Sequence, residues 1–160
     1  MKKILFGLSL ISIILFLPVS CDKSETSAIP ENADYFAYGT SFGECVGYCV
    51  RDIKMIPTLI EFKKNGWDLQ GKLLEVKKTK NIEDSTWNNV ADHFNLDAFT
   101  SLEPVIGCPD CADGGAEWVE VKTGNEVYKV TFEYGNEPDV MKDYIDYLRA
   151  YMDSIDAERN

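Results

Sequence analysis

The sequence predicts an α+β domain, with an antiparallel sheet of about five or six strands packed by a short middle helix and a longer C-terminal helix. Three observations predict it. Apolar residues alternate at period two through much of residues 34–77 and again through 118–134. The spacing changes to three and four residues over 83–94 and 140–156. Glycine, asparagine and proline punctuate the joints between these segments.

Asp34 to Gly39, aromatic and followed by Thr40, opens the first strand. Ser41 to Gly47 holds two glycines and reads as a turn or a close backbone approach. From Cys49 the chain alternates, with Cys49, Arg51, Ile53 and Met55 on one side and Val50, Asp52 and Lys54 on the other. Pro57 ends that strand or marks an edge. Ile60 and Phe62 then alternate with Glu61 and Lys63, and Asn65-Gly66 is a hairpin signal leading to the next strand over Lys72–Lys77. In residues 83–94, Trp87, Val90, Ala91 and Phe94 share one helical face, with Asp84 or Ser85 as the expected cap. Ala98-Phe99 and Leu102 return the chain to the core before the loop Gly107–Gly115.

The clearest hairpin follows that loop. Val119 and Val121 alternate with Trp118, Glu120 and Lys122; a turn spans Thr123–Glu126; and Tyr128, Val130, Phe132 and Tyr134 alternate with Lys129, Thr131 and Glu133. Residues 140–156 form the last helix, with Val140, Tyr144, Tyr147, Leu148, Tyr151, Met152 and Ile155 as its apolar stripe and Asp139 as its expected cap. The tyrosines on the stripe are expected at the margin of the helix–sheet contact, with wet hydroxyls.

The N-terminus has a different character. Met1-Lys2-Lys3 precedes an uncharged run over residues 4–17, which is the outline of a secretion signal. The run is shorter than the roughly 20 residues that cross a bilayer. Pro18-Val19-Ser20-Cys21 follows at once and resembles the lipobox of bacterial lipoproteins, with Pro18 departing from its usual leucine-rich start. That resemblance implies cleavage after residue 20 and lipidation of Cys21, by palmitate or a similar acyl group. More than one chain is needed because a single one anchors only marginally. The expected organisation is a signal peptide over 1–20, a lipidated tether over 21–33 and one globular domain over 34–157. The expected location is the bacterial cell envelope, lipid-anchored to a membrane, with the outer membrane adopted as its destination. Asp22 beside the cysteine marks inner-membrane retention in some enteric bacteria, so the choice between inner and outer membrane, and the leaflet, stay open.

Processing alters the charge and the cysteine arithmetic. Loss of Lys2 and Lys3 leaves 14 of 16 basic residues against 27 acidic ones, so a net charge of −11 becomes −13. Such a surface repels nucleic acid. Of five cysteines, one goes to lipid and four stay in the domain, as Cys45-Val-Gly-Tyr-Cys49 and Cys108-Pro-Asp-Cys111. Export permits disulfides, and four cysteines allow three pairings. A bridge between the distant pairs is worth about 4 kcal/mol by loop closure, and a short ring about half of that or less.

The same four sulfurs admit other chemistry. A tetrathiolate zinc site needs two close pairs of this kind. Thiol–disulfide exchange at Cys108 and Cys111 needs a stabilised thiolate, but the neighbours are Asp110, Asp113 and Glu117, which disfavour one. Those three carboxylates are in turn candidates for calcium, although their spacing fails the EF-hand template. His93 is the sole histidine and cannot build a histidine-rich metal centre.

The phrases Ser41-Phe-Gly-Glu-Cys-Val-Gly-Tyr-Cys49 and Gly107-Cys-Pro-Asp-Cys-Ala-Asp-Gly-Gly-Ala-Glu-Trp118, with Tyr128–Gly135 behind them, resemble a group of small uncharacterised exported proteins, many of them bacterial lipoproteins. The likeness spans roughly residues 36–152 and implies a shared fold in which the two phrases meet, but no reaction. The expectation is therefore an envelope lipoprotein whose domain, stabilised by disulfides, binds a protein partner or supports an assembly without catalysis. The alternatives are a redox protein using Cys108 and Cys111, and a zinc- or calcium-dependent binding module.

Overall fold

The computed structural model describes residues 33–158. The expected signal peptide over 1–20, Cys21 and nearly all of the expected tether over 21–33 lie outside them. One sheet of eight strands carries three helices on one face, so the α+β class holds with more strands than expected.

The strands are β1 (Ala33–Ser41), β2 (Gly47–Ile56), β3 (Leu59–Asp68), β4 (Gly71–Lys72), β5 (Val76–Asn81), β6 (Val105–Ile106), β7 (Ala116–Thr123) and β8 (Glu126–Glu133). Their order is β4-β3-β2-β1-β7-β8-β6, and β5 continues beside β4 along the outer edge of β3. All pairs are antiparallel except β6 with β8. The surplus over the expected count comes from β4 and β6, two residues each. Such short pairings exist only because a neighbouring strand holds them, and no periodicity announces them.

The alternation read from the sequence over β2, β3, β7 and β8 places the core, and β1 joins it. Phe36 and Tyr38 of β1, Ile53 and Met55 of β2, Ile60 and Phe62 of β3, Val119 and Val121 of β7, and Val130 and Phe132 of β8 are all buried on one face. Against it lie α1 (Asp84–Asp92), α2 (Leu96–Thr100) and α3 (Lys142–Ala157). Phe94 sits at the centre, with ring centroids 5.1 Å from Phe36, 5.1 Å from Phe99 and 5.0 Å from Tyr144. Arg51, the polar residue on the core side of β2, reaches the rim and pairs with Asp153 of α3 at 2.9 Å.

Several local expectations need correction. Asn65-Gly66 is not a turn: β3 runs straight through it, and the reversal comes at Leu69-Gln70. Gly66 is required for another reason, since a Cβ there would lie 1.8 Å from the Gly47 carbonyl oxygen, where the β2–β3 register slips between Gly47 and Val50. α3 begins at Lys142 rather than 140, after a single 3-10 turn over Asp139–Met141, and Asp139 forms no side-chain cap. Val140 is exposed, and Ile145 takes its place in the buried stripe. Tyr144 is fully buried, and its hydroxyl has no partner among the described residues. α1 likewise starts without a side-chain cap, whereas Asn95 caps α2 by accepting from the Ala98 amide at 3.0 Å. The far end of α3 is closed by Lys78 of β5, whose ammonium donates to the carbonyls of Ile155 at 3.0 Å and Asp156 at 3.1 Å, where a cation is favoured by the helix dipole. No helix among the described residues is long and apolar enough to cross a membrane.

Candidate functional site

Antiparallel pairing sends different segments to different ends of the sheet. Ala33 pairs with Thr123 and Ser41 with Ala116, so the chain enters at one end of β1, and both cysteine phrases gather at the other. The strand between spans roughly 26 Å at about 3.3 Å per residue.

At this far end each pair of cysteines closes on itself, Cys45 with Cys49 and Cys108 with Cys111, with Cα atoms 5.7 and 5.4 Å apart. The four sulfurs form two short rings. The long-range bridge is not used.

The two loops are nevertheless joined. Asp110 accepts a hydrogen bond from the Gly43 amide at 3.0 Å. Phe42 packs on Tyr134, centroids 4.9 Å apart, and closes over Gly115, where a Cβ would stand 2.5 Å from the Phe42 ring. Only glycine fits at 115, which also carries φ +84°. The Gly115 carbonyl accepts from the amides of Asp110 at 2.9 Å and Tyr134 at 3.2 Å. Glu133 accepts from the Cys108 amide at 2.7 Å. The second loop is bent sharply, with Asp110, Ala112 and Asp113 at φ 59°, 51° and 61°, a region that side chains other than glycine seldom occupy.

The three carboxylates proposed as cation ligands do not converge. Asp110 serves Gly43, Asp113 is exposed, and Glu117 is fully buried on the core side of β7. Glu117 accepts from the Tyr38 hydroxyl at 3.0 Å, the Gly135 amide at 3.2 Å and the Arg149 guanidinium at 3.0 and 3.1 Å. Arg149 also holds Glu137 at 2.9 Å and Asp146 at 2.6 Å, and Lys142 holds Glu137 at 2.6 Å. Burial, and then the Glu117 charge, push the Tyr38 phenol well above its usual range. The Lys142 ammonium and the Arg149 guanidinium outweigh partial burial and hold Glu137 at about 2. Burial works against the charge on Arg149, but Glu137 and Glu117 raise its pKa further still. The network is a charged strut between α3 and the root of the second loop. Neither Glu117 nor Arg149 was read from the sequence in this role. The signal was present for Glu117: it shares parity with Val119 and Val121, which places it on the buried face.

Among the described residues, no group of three or more histidine, cysteine, aspartate or glutamate side chains could hold a metal ion. His93 is exposed just past the end of α1, its Nδ1 2.6 Å from the Asn89 carbonyl oxygen and its ring stacked 6.5 Å from that of Tyr147. A cavity of about 230 Å³ lies beside the second disulfide, lined by Cys108, Cys111, Gly114, Gly115, Glu133 and Tyr134.

The face of the sheet away from the helices has its own polar pattern. Trp118 lies over Gly39, where a Cβ would be 2.2 Å from the indole, and Lys129 sits 5.0 Å from the ring centre. A large ring laid across a strand glycine restores the packing that the glycine lacks. Tyr35 donates to Glu120 at 2.6 Å, which pushes its pKa up to about 12. Desolvation raises that of Asp52.

In comparisons with known proteins, no family model matches this chain and no curated protein is significantly similar to it.

Proposed function

We propose that this chain is an envelope lipoprotein, anchored through Cys21 to a bacterial membrane, with the outer membrane as the expected one. Its domain acts as a non-enzymatic binding or assembly module for another envelope protein. The observation that carries the reading is the hydrogen bond from the Gly43 amide to Asp110, which joins two disulfide-closed loops. The joined loops stand at the end of β1 opposite Ala33. Loops fixed on a rigid sheet suit recognition, because little ordering entropy is lost on binding.

Replacing Cys21 with serine tests the anchor. The variant is expected to leave the membrane fraction with an unchanged far-ultraviolet circular dichroism spectrum. Continued membrane attachment would contradict the reading.

A second reading, thiol–disulfide exchange at Cys108 and Cys111, is favoured by the exposure of both residues and by the cavity beside them. Alkylation of native protein with and without mild reductant separates the two. Rapid, reversible labelling of this pair alone supports redox work, and inertness until unfolding supports braces. A zinc- or calcium-dependent module would retain metal when purified without chelators, whereas a brace function expects neither metal.

A further inference from the structure

The two disulfide rings differ in what can reach them. Cys108 and Cys111 are both exposed, whereas Cys49 is 1% exposed and Cys45 is half-buried. The cavity of about 230 Å³ adjoins the second ring, and Gly114 and Gly115 put no side chain in its way. A thiolate that opens a disulfide must reach one of the two sulfurs, so the second ring is the accessible one.

The same ring holds the residue that joins the loops. Asp110 lies between Cys108 and Cys111 with a left-handed backbone at φ 59°, and Ala112 at 51° and Asp113 at 61° follow it. Residues with a side chain keep this conformation only where their surroundings impose it. Here the disulfide imposes it, together with the Asp110 amide on the Gly115 carbonyl at 2.9 Å and the Cys111 amide on the Cys108 carbonyl at 3.0 Å. From that posture one oxygen of Asp110 accepts from the Gly43 amide at 3.0 Å, and the other covers the glycine, 2.5 Å from where a Cβ would stand. The exposed ring and the bond between the loops therefore share one residue.

We propose that the Cys108–Cys111 disulfide is a redox switch for the joined-loop site: an external dithiol reduces it, Asp110 leaves its left-handed conformation and releases Gly43, and the loops part while Cys45–Cys49 stays closed. In the first step a thiolate of the dithiol bonds to one ring sulfur, the ring S–S bond breaks, and the other cysteine leaves with the electron pair and takes up a proton. The second thiol of the dithiol then loses its proton and attacks the first, and the remaining cysteine leaves and is protonated. Two electrons and two protons pass to the ring, and the dithiol departs as a disulfide. A monothiol stops after the first step, because the freed cysteine, held close by so short a loop, attacks the mixed disulfide and closes the ring again. Glu133 at the Cys108 amide and Asp113 disfavour a standing thiolate here, so the ring is the target of exchange and not its catalyst. The proposal rests on the joined-loop reading and adds its regulation.

The test treats the oxidised full chain with dithiothreitol or with glutathione at equal thiol concentration. Alkylation and peptide mapping follow the cysteines over time, and hydrogen exchange follows single amides. Dithiothreitol should open Cys108–Cys111 at least tenfold faster than Cys45–Cys49, and at least tenfold faster than glutathione does. In protein reduced at this ring alone, the Gly43 amide should exchange at least tenfold faster, while the Phe42 amide, bonded to the Cys49 carbonyl at 3.1 Å, keeps its rate. Cys108→Ser combined with Cys111→Ser should show the fast Gly43 rate without reductant and no response to it. The wild-type arm stands whether or not that variant folds. The switch is overturned by earlier or equal opening of Cys45–Cys49, by glutathione acting as fast as dithiothreitol, or by an unchanged Gly43 rate once the ring is open. Untreated protein keeps the two readings apart. A bridge between the phrases, or a Gly43 amide that exchanges freely before reduction, refutes the joined loops, whereas a Gly43 amide protected both before and after reduction refutes the switch alone.

Discussion

The two disulfide loops share one end of the sheet, one bridge chemistry and nearly one ring size, yet they are held in different ways. The Cys45–Cys49 ring is built into β2. Cys49 is 1% exposed within the strand, and Phe42 and Gly47 are fixed by backbone bonds and pairing to Cys49 and Trp67. The Cys108–Cys111 ring stands outside the sheet with both cysteines exposed, and carboxylates fasten much of it. Glu133 holds the Cys108 amide, Asp110 holds Gly43, and Glu117 holds Gly135 just beyond β8. A backbone ladder tolerates most side-chain changes, whereas a loop hung on acidic side chains depends on each of them.

Substitutions at each anchor should therefore loosen one loop and spare the other. Arg149→Ala should have the largest effect. It leaves Glu117 buried with only Tyr38 and the Gly135 amide for partners, and loss of a partner to a buried charge costs about 3–5 kcal/mol. Urea denaturation should show the loss, and hydrogen exchange should quicken at Tyr134 and Asp110 before it does at Cys49. Equal acceleration in both loops would erase the distinction.

Acid should act on the same strut. Glu137 has a folded pKa of about 2 against its ordinary 4.5, so its contribution is complete above pH 4.5 and is lost as pH falls towards 2. The shift corresponds to at most about 3 kcal/mol. Glu137→Gln should flatten that part of the stability profile, as read by thermal melts between pH 2 and 6.

Gly66→Ala attacks the other loop. The added carbon meets the Gly47 carbonyl oxygen, which is backbone and cannot swing away, so β2 and β3 must part at a cost of about 2 kcal/mol. Exchange should then quicken at Cys49 and Trp67 while Asp110 keeps its protection. Asp110→Ala should be mildest, about 1 kcal/mol for one exposed hydrogen bond, with faster exchange at the Gly43 amide as its signature.

The contrast also accounts for what could be read from the sequence. Period-two alternation is local, and it located the buried faces of β2, β3, β7 and β8, where Ile53, Phe62, Val121 and Phe132 lie in the core; β1 was read only as an aromatic strand, with no face assigned. Gly66 was misassigned because its requirement arises from a register slip in another strand. β4, β6 and α2 are too short to carry a period of their own. At the candidate site, only the resemblance implied that the two cysteine phrases meet, and the pairing was left open, since spacing alone does not exclude a long bridge. Glu117 was grouped with Asp110 and Asp113 by proximity along the chain. The pleat sends it to the opposite side, towards Arg149, which lies 32 residues away. The strand expected over Lys72–Lys77 is broken instead, because the chain leaves the sheet between Lys72 and Val76 and carries Leu74 into solvent.

Two loops, each closed by its own disulfide, meet at one end of the domain through the bond from Gly43 to Asp110. Peptide mapping of protein alkylated at the moment of cell lysis tests this arrangement most directly. Cys45 should be found bonded to Cys49 and Cys108 to Cys111, with no peptide joining the two phrases. A bridge between the phrases, or four alkylated thiols, would contradict it.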